Sequence, residues 1–302
     1  MVGPSAILLD MAQDQPEAAS WPWKPAVTEE TRREIEYATT RYPALLDEMK
    51  RDVGALLEKG SMPAARDLAS ATGEHFNHNE PPLFFTGDLD ASFVLVHLNP
   101  KQRDITSDEP PASLPFRSFE EYFDVCRHFG ARMYGPAASR AHRAQFDHKQ
   151  IQFLEPFGVI DFVDEHGEED RFTNLERVLD GKLQLELIPY GSDSFSARGL
   201  SRDLLKPHHD RLMSVITAKP RDYVIFCGAV FERLMGPNVL REHRFRLEKA
   251  DGSKTRDEYR FANLRLPYKE TEIKAGLALS WARQGIPMSR YAEAVRDRYE
   301  AD

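Results

Sequence analysis

The sequence predicts an α/β protein: three layers, α/β/α, around a central, mainly parallel four-stranded sheet, with an added β-hairpin and C-terminal helices. Three observations predict it. Four short segments rich in β-branched and aromatic residues are bounded by turn residues or charges, as strands buried on both faces are. The stretches between them can hold helices, and strands separated by helices imply crossovers in a parallel sheet covered on both sides. The chain has 302 residues, 41% hydrophobic and 29% charged, which is a globular composition and length enough for one large core.

Taken in order, residues 1–27 carry four prolines, Trp21 and Trp23, and no apolar period, so they read as an arm laid over the surface of a single domain, 28–302. Thr31-x-x-Glu34 has the form of a capping box and predicts a helix start. Pro43 suits the first turn of a second helical segment, in which Leu45, Leu46, Met49, Val53, Leu56 and Leu57 recur at three- and four-residue steps up to Gly60. The four strands are Ser92–Leu98, Leu183–Pro189, Asp222–Cys227 and Arg260–Leu266. Phe119–Phe129, Ser201–Thr217 and the short Ala229–Met235 are the helical stretches between them. Phe245–Glu248 and Lys254–Tyr259 flank Asp251-Gly252, a dipeptide suited to a tight hairpin turn. Two helical faces close the chain: Ile273, Leu277 and Trp281, then Tyr291, Val295 and Tyr299.

Composition excludes several function classes. The longest apolar runs, such as Phe93-Val94-Leu95-Val96, fall far short of the roughly 20 residues a membrane helix needs. Ala6-Ile7-Leu8-Leu9 has no basic residue before it and runs into Asp10, a poor signal peptide. With only Cys126 and Cys227 no disulfide framework is expected, and a cytoplasmic location fits best. Net charge is −9, from 49 acidic against 40 basic residues, which argues against broad adhesion to nucleic acid or anionic lipid. Neither Gly-x-Gly-x-x-Gly nor Gly-x-x-x-x-Gly-Lys-Ser/Thr occurs, so no nucleotide cofactor is expected.

In an open α/β sheet, ligands bind beyond the carboxyl ends of the strands. The sequence there reads His97-Leu98-Asn99-Pro100, Ile188-Pro189-Tyr190-Gly191-Ser192, Cys227-Gly228-Ala229 and Leu266-Pro267-Tyr268-Lys269. An apolar strand running into Asn-Pro resembles the first active-site motif of the uracil-DNA glycosylase superfamily, in the branch whose motif is Gly-x-Asn-Pro. The resemblance extends loosely from Phe84 to about Tyr268; His97 replaces the family glycine, and Leu266-Pro267-Tyr268-Lys269 stands where the family has His-Pro-Ser.

The resemblance implies a protein that takes a nucleobase, nucleotide or DNA at this edge and hydrolyses an N-glycosidic bond. Asn99 would hold the attacking water or the base, and His97 would stabilise charge on the departing ring. Pro100, Tyr190, Ser192, Tyr268 and Lys269 complete the expected pocket, the two tyrosines as stacking faces. Two other classes stay open: a non-catalytic nucleic-acid or nucleotide binder on the same fold, and an unrelated small-molecule hydrolase using His97 or His208.

Other constellations are weaker. His75-x-x-His78, beside Glu74 and Glu80, lacks a convincing third ligand, so no metal site is expected. His208-His209-Asp210 stands at a helix start, where polar residues also occur as caps. Ser192, Ser194 and Ser196 lack a Gly-x-Ser-x-Gly elbow. Cys227 reads as a buried small hydrophobe. For His97 and Asn99 the bland alternative is that Asn99 caps the turn and His97 packs against it.

Overall fold

The structure is a computed structural model that describes residues 25–100, 114–136, 145–164, 166–192, 200–248, 251–283 and 285–301. Trp21, Trp23, Ser194 and Ser196 lie outside the described residues.

Three helices open the described chain: α1 (Glu29–Arg41), α2 (Pro43–Lys59) and α3 (Pro63–Thr72). The start of α1 corrects the sequence reading, because Thr28 is the N-cap and Thr31 closes the capping box from within the first turn. Thr31 is buried and its hydroxyl donates to Asp124, so it has a tertiary partner that an exposed cap would not need. Helix α2 begins on Pro43 and ends at Gly60, whose φ of 65° is the left-handed cap expected of glycine. Its residues Leu45, Leu46, Met49, Val53 and Leu56 are buried, as their spacing predicted.

The sheet has seven strands in the order β1-β3-β2-β4-β7-β6-β5. They are β1 (Phe85–Gly87), β2 (Phe93–His97), β3 (Leu183–Glu186), β4 (Tyr223–Cys227), β5 (Val239–Phe245), β6 (Tyr259–Tyr268) and β7 (Thr271–Ala278). β3, β2, β4 and β7 run parallel, β1 is added antiparallel to β3, and the β6-β5 ribbon is added antiparallel to β7. The sheet is therefore mixed and wider than the four strands expected.

One of the expected strands is wrong in direction. Residues 260–266 lie in β6, antiparallel to its neighbour, and the strand beside β4 is β7, where the sequence predicts a helical face. The four-residue step Ile273, Leu277, Trp281 is also compatible with a strand's period of two, through Ile273, Ala275 and Leu277. Gly276 decides the matter sterically: a Cβ there would come within 2.7 Å of the Phe261 ring and 2.9 Å of Ile225, so β7 fits only because that residue has none. The turn from β6 to β7 passes through Lys269, a non-glycine residue at φ 55°, and carries no glycine signal. The expected hairpin around Asp251-Gly252 is reduced to one bridge, Glu248 to Lys254; the ribbon proper pairs 239–245 with 259–264.

Both faces of the sheet are covered. Val94 and Val96 of β2 pack with α2, α3, α8 (Arg202–Ile216), α9 (Val230–Met235) and α4 (Phe119–Arg127). Phe93 and Leu95 pack with α6 (Gln145–Leu154) and α10 (Met288–Glu300). A smaller cluster joins α5 (Phe129–Tyr134), α6 and α7 (Glu168–Gly181). No helix of the described residues is long and apolar enough to cross a membrane.

Candidate functional site

The site grows from the alternation of β3. Leu183, Leu185 and Leu187 enter the helix-covered core on one face, so by the two-residue period Lys182, Gln184 and Glu186 stand on the other. All three are buried, Lys182 with no exposed surface at all. The Lys182 ammonium donates to Gln184 Oε1 at 3.1 Å, and Gln184 Nε2 donates to Glu186 Oε1 at 2.7 Å. In register, His97 of β2 lies beside Glu186, and Thr86 of β1 beside Gln184. Neighbouring strands are about 4.8 Å apart, so these side chains share one patch.

The patch floors a cavity of about 820 Å³ at the carboxyl ends of the parallel strands. Phe146, Asp147 and Lys149 at the start of α6 make one wall, and Phe129 and Leu179 another. Asn99, Pro100, Cys227-Gly228-Ala229 and Trp281 line it from the ends of β2, β4 and β7. The His97 ring sits edge-on between Phe146, with centroids 5.3 Å apart, and Trp281, at 5.5 Å. Phe146 is 46% exposed, unusual for so large an apolar side chain, and offers an aromatic surface to the cavity.

Three buried polar atoms here have no hydrogen-bond partner among the described residues: Thr86 Oγ1, His97 Nε2 and Glu186 Oε2. Burial pushes the Glu186 carboxyl up to about 8, against the opposing pull of the Gln184 hydrogen bond and the Lys182 and Arg211 charges, so it is largely protonated at neutral pH. Burial, reinforced by the charges of Lys182 and Lys149, takes His97 down to about 3, so its imidazole is neutral. Burial also lowers Lys182 to about 8, opposed by Asp147, Glu186, Asp180 and Cys227. Lys149 is lowered by burial as well; its ammonium lies 5.4 Å from the centroid of the Trp281 ring and donates to the Trp281 carbonyl. A buried acid and an imidazole, both uncharged at neutral pH and side by side, can exchange protons with a ligand without first shedding water.

The sequence-predicted residues divide sharply. His97, Asn99 and Pro100 line the cavity. Asn99 Nδ2 donates to Ser192 Oγ at 2.7 Å and faces the carbonyls of Tyr190 and Pro100 at 3.4 Å each, tying the loops after β2 and β3 together. Those carbonyls can only accept, so the amide nitrogen is committed to them and the carbonyl oxygen is what the side chain can offer a ligand. Ser192 is the buried acceptor in this tie and does not line the cavity.

Tyr190 is a correction: it is fully buried on the other face of the sheet, where its hydroxyl donates to Asp52 at 2.7 Å. Tyr268 and Lys269 are corrections too. They end β6, an antiparallel strand, so they lie at the amino end of β7, across the sheet from the cavity. Trp281 and Ala282, after β7, take the place expected of them.

His208 stands 3.5 Å from Glu48, also on the far face, and His209 is 3.7 Å from Asp210. His78 Nδ1 is 3.2 Å from Ser61 Oγ. Among the described residues no group of three or more His, Cys, Asp or Glu side chains is placed to hold a metal. Cys126 and Cys227 are free and buried.

Sequence reasoning missed Thr86, Phe146, Asp147, Lys149, Lys182, Gln184, Glu186 and Trp281. The signal for three of the polar groups was present: Lys182, Gln184 and Glu186 alternate with Leu183, Leu185 and Leu187 in a strand flanked by helical stretches. A strand covered on both faces has no solvent side for such a polar row, so the row needs partners of its own. No family model matches the chain, and no curated protein matches it.

Proposed function

We propose that the protein binds a planar, hydrogen-bonding ligand of the nucleobase or nucleoside class in the cavity above β3 and β2, with Glu186 and His97 as the groups that act on it. One observation carries this reading: three buried polar atoms on adjacent strands, Thr86 Oγ1, His97 Nε2 and Glu186 Oε2, lack partners among the described residues and belong to side chains that line a single cavity. Each unpaired buried group costs about 1–3 kcal/mol, a cost that a ligand with an alternating edge of donors and acceptors removes. Phe146 and Trp281 supply the apolar faces that a flat ring needs. The Asn-Pro turn stands at the cavity, where the glycosylase resemblance requires a base to be held. The net charge of −9 favours a free base or nucleoside over duplex DNA, whose backbone calls for a basic surface.

The same arrangement supports hydrolysis of an N-glycosidic bond as its catalytic form. Water would add to the sugar carbon as the bonding pair departs with the ring, and the neutral Glu186 acid would give its proton to that ring. The Asn99 carbonyl oxygen would orient the water by accepting a hydrogen bond from it, and the neutral His97 imidazole would take the proton that the water loses.

The test is titration of free bases, nucleosides and uracil- or hypoxanthine-containing oligonucleotides, followed by Trp281 emission in a chain with Trp21 and Trp23 replaced by Phe. Saturable quenching by bases or nucleosides, abolished in Thr86→Val with Glu186→Leu, is expected. Absence of binding by every one of these ligands overturns the reading. Binding without release of base, in wild type and Asn99→Ala alike, removes the hydrolysis and leaves the binding.

A further inference from the structure

The hydrogen bonds along β3 have a direction. The Lys182 ammonium has no lone pair, so it can only donate, and the Gln184 oxygen must be the atom that faces it at 3.1 Å. The Gln184 amide is planar, with one donor end and one acceptor end, so its nitrogen faces Glu186 Oε1 at 2.7 Å. In the neutral acid, the oxygen that accepts from an N–H₂ group at that distance is the carbonyl-like oxygen of the carboxyl. The acidic proton of that form therefore resides on the other oxygen, Oε2, which is buried and without a partner among the described residues, on a residue that lines the cavity.

From this geometry we infer that Lys182 and Gln184 are positioning residues that fix the orientation of the Glu186 carboxyl, so that the neutral acid directs its proton into the cavity and the site selects a ligand atom that accepts a hydrogen bond. The atom would be a ring carbonyl oxygen or an unprotonated ring nitrogen; an N–H at this position would meet a proton already in place. The choice of acceptor rests on the nucleobase reading, whereas the state of Glu186 belongs to the ligand-free protein and is independent of it.

The surroundings of Glu186 are consistent with a neutral acid. Lys182 stands on its own strand and His97, uncharged, on β2. Asp147 and Lys149 face the cavity from α6, Asp147 accepting from the Tyr134 hydroxyl at 2.5 Å. Cys227 lies at the end of β4 and is kept a thiol, because burial foremost raises it far above its ordinary value. From α8 the Arg211 guanidinium reaches the backbone carbonyls of Glu186 and Leu187 at 2.8 Å each, not the carboxyl group. Among the described residues no cation is bonded directly to either carboxyl oxygen; Lys182 acts through Gln184.

Two measurements on the full chain test this. In ligand-free protein labelled with carbon-13 at the glutamate carboxyls, the Glu186 signal, assigned by its loss in Glu186→Gln, is expected to titrate near pH 8. Gln184→Leu and Lys182→Met each remove an influence that favours the carboxylate, so the midpoint moves upward, by about one pH unit in each variant. Gln184→Leu is the safer of the two, because it also removes the amide that Lys182→Met leaves half-bonded. A wild-type midpoint in the ordinary carboxylate range, or one unmoved in the variants, overturns the relay whether or not any base binds.

The second probe is 1,3-dimethyluracil, a ring whose polar atoms all accept and which does not ionise. Its affinity is expected to fall about tenfold or more between about pH 6 and about pH 9.5 in wild type and to stay level in Glu186→Gln, whose amide N–H₂ donates throughout. Equal behaviour of the two proteins, no binding included, overturns the acceptor selection.

Discussion

Two buried polar groups flank the carboxyl end of β3, one on each face of the sheet, and they are built on opposite principles. On the face of α2 and α8, Arg211 donates to Glu48 at 2.8 Å and to two carbonyls of the strand end, while Tyr190 donates to Asp52 and Arg51 pairs with Asp52 at 2.9 Å. Every charge there meets an opposite charge or a dipole, and the result fastens two helices to the sheet. On the cavity face, Lys182, Gln184 and Glu186 form an equally buried row, yet it stops at a carboxyl oxygen and beside an imidazole nitrogen that have no partner among the described residues. A closed network stabilises the fold; an open one holds hydrogen-bonding capacity in reserve for something that is not protein.

That contrast can be broken most forcefully at Arg211. Arg211→Leu strips two strand-end carbonyls of their donor and leaves the part-buried Glu48 without its 2.8 Å partner, and unfolding in urea should show a loss of about 3–5 kcal/mol. A loss below about 1 kcal/mol would mean that the closed face is not what ties α8 to the sheet.

The two faces should also differ in pH dependence. The Glu48 carboxyl, which burial alone would raise, is held at about 2 by His208 and Arg211; its folded value is below its unfolded one, so its stabilisation is full above about 4.5 and is lost as pH falls through 2. Glu186 is the reverse. Its folded value, near 8, is above its unfolded value, so its stabilisation is full below about 4.5 and drains away as pH rises through 8. Thermal melts across pH should show a decline between about pH 4.5 and 8 worth roughly a few kcal/mol that disappears in Glu186→Gln, and a decline below about pH 4.5 that shrinks in Glu48→Gln. The same slope between about pH 4.5 and 8 in wild type and Glu186→Gln would refute the assignment.

A smaller effect of opposite sign is expected at Thr86. Thr86→Val removes an unsatisfied buried hydroxyl at nearly constant shape and should stabilise the protein by about 1 kcal/mol in urea while weakening base binding. A destabilised Thr86→Val with unchanged binding would place that hydroxyl among the structural groups.

The smallest change belongs to Asn99, which stands between the faces. Asn99→Ala cuts the tie to Ser192 and should cost about 1 kcal/mol of stability. Loss of base release in this variant with binding retained would add a catalytic role to the structural one.

Much of this architecture is legible residue by residue. Pro43, the stripe from Leu45 to Leu56 and Gly60 write out α2 in full, because its start, buried face and end each depend on neighbours within a few residues. Phe93 to Val96 read as a doubly buried strand for the same reason. The strand β7 did not, since its decisive contact, Gly276 against Phe261 and Ile225, joins residues far apart in the chain. That one misreading carried Tyr268 and Lys269 to the wrong edge of the sheet and left out Trp281. Tyr190 was misplaced differently: it sits in the expected loop, but its direction is set by Asp52, 138 residues away.

The sequence by itself determined the α/β class, the strands that become β2, β3 and β4, and the delivery of His97 and Asn99 to a strand end, because periodicity, turn residues and caps act over short stretches of chain. Only the tertiary structure decided which side chains share the cavity and which are left without partners. Strand direction and register bring Thr86, His97 and Glu186 together across three strands, and α6 supplies the opposite wall. Whether a buried polar atom is satisfied depends on every group within about 3 Å of it, and those groups come from all over the chain.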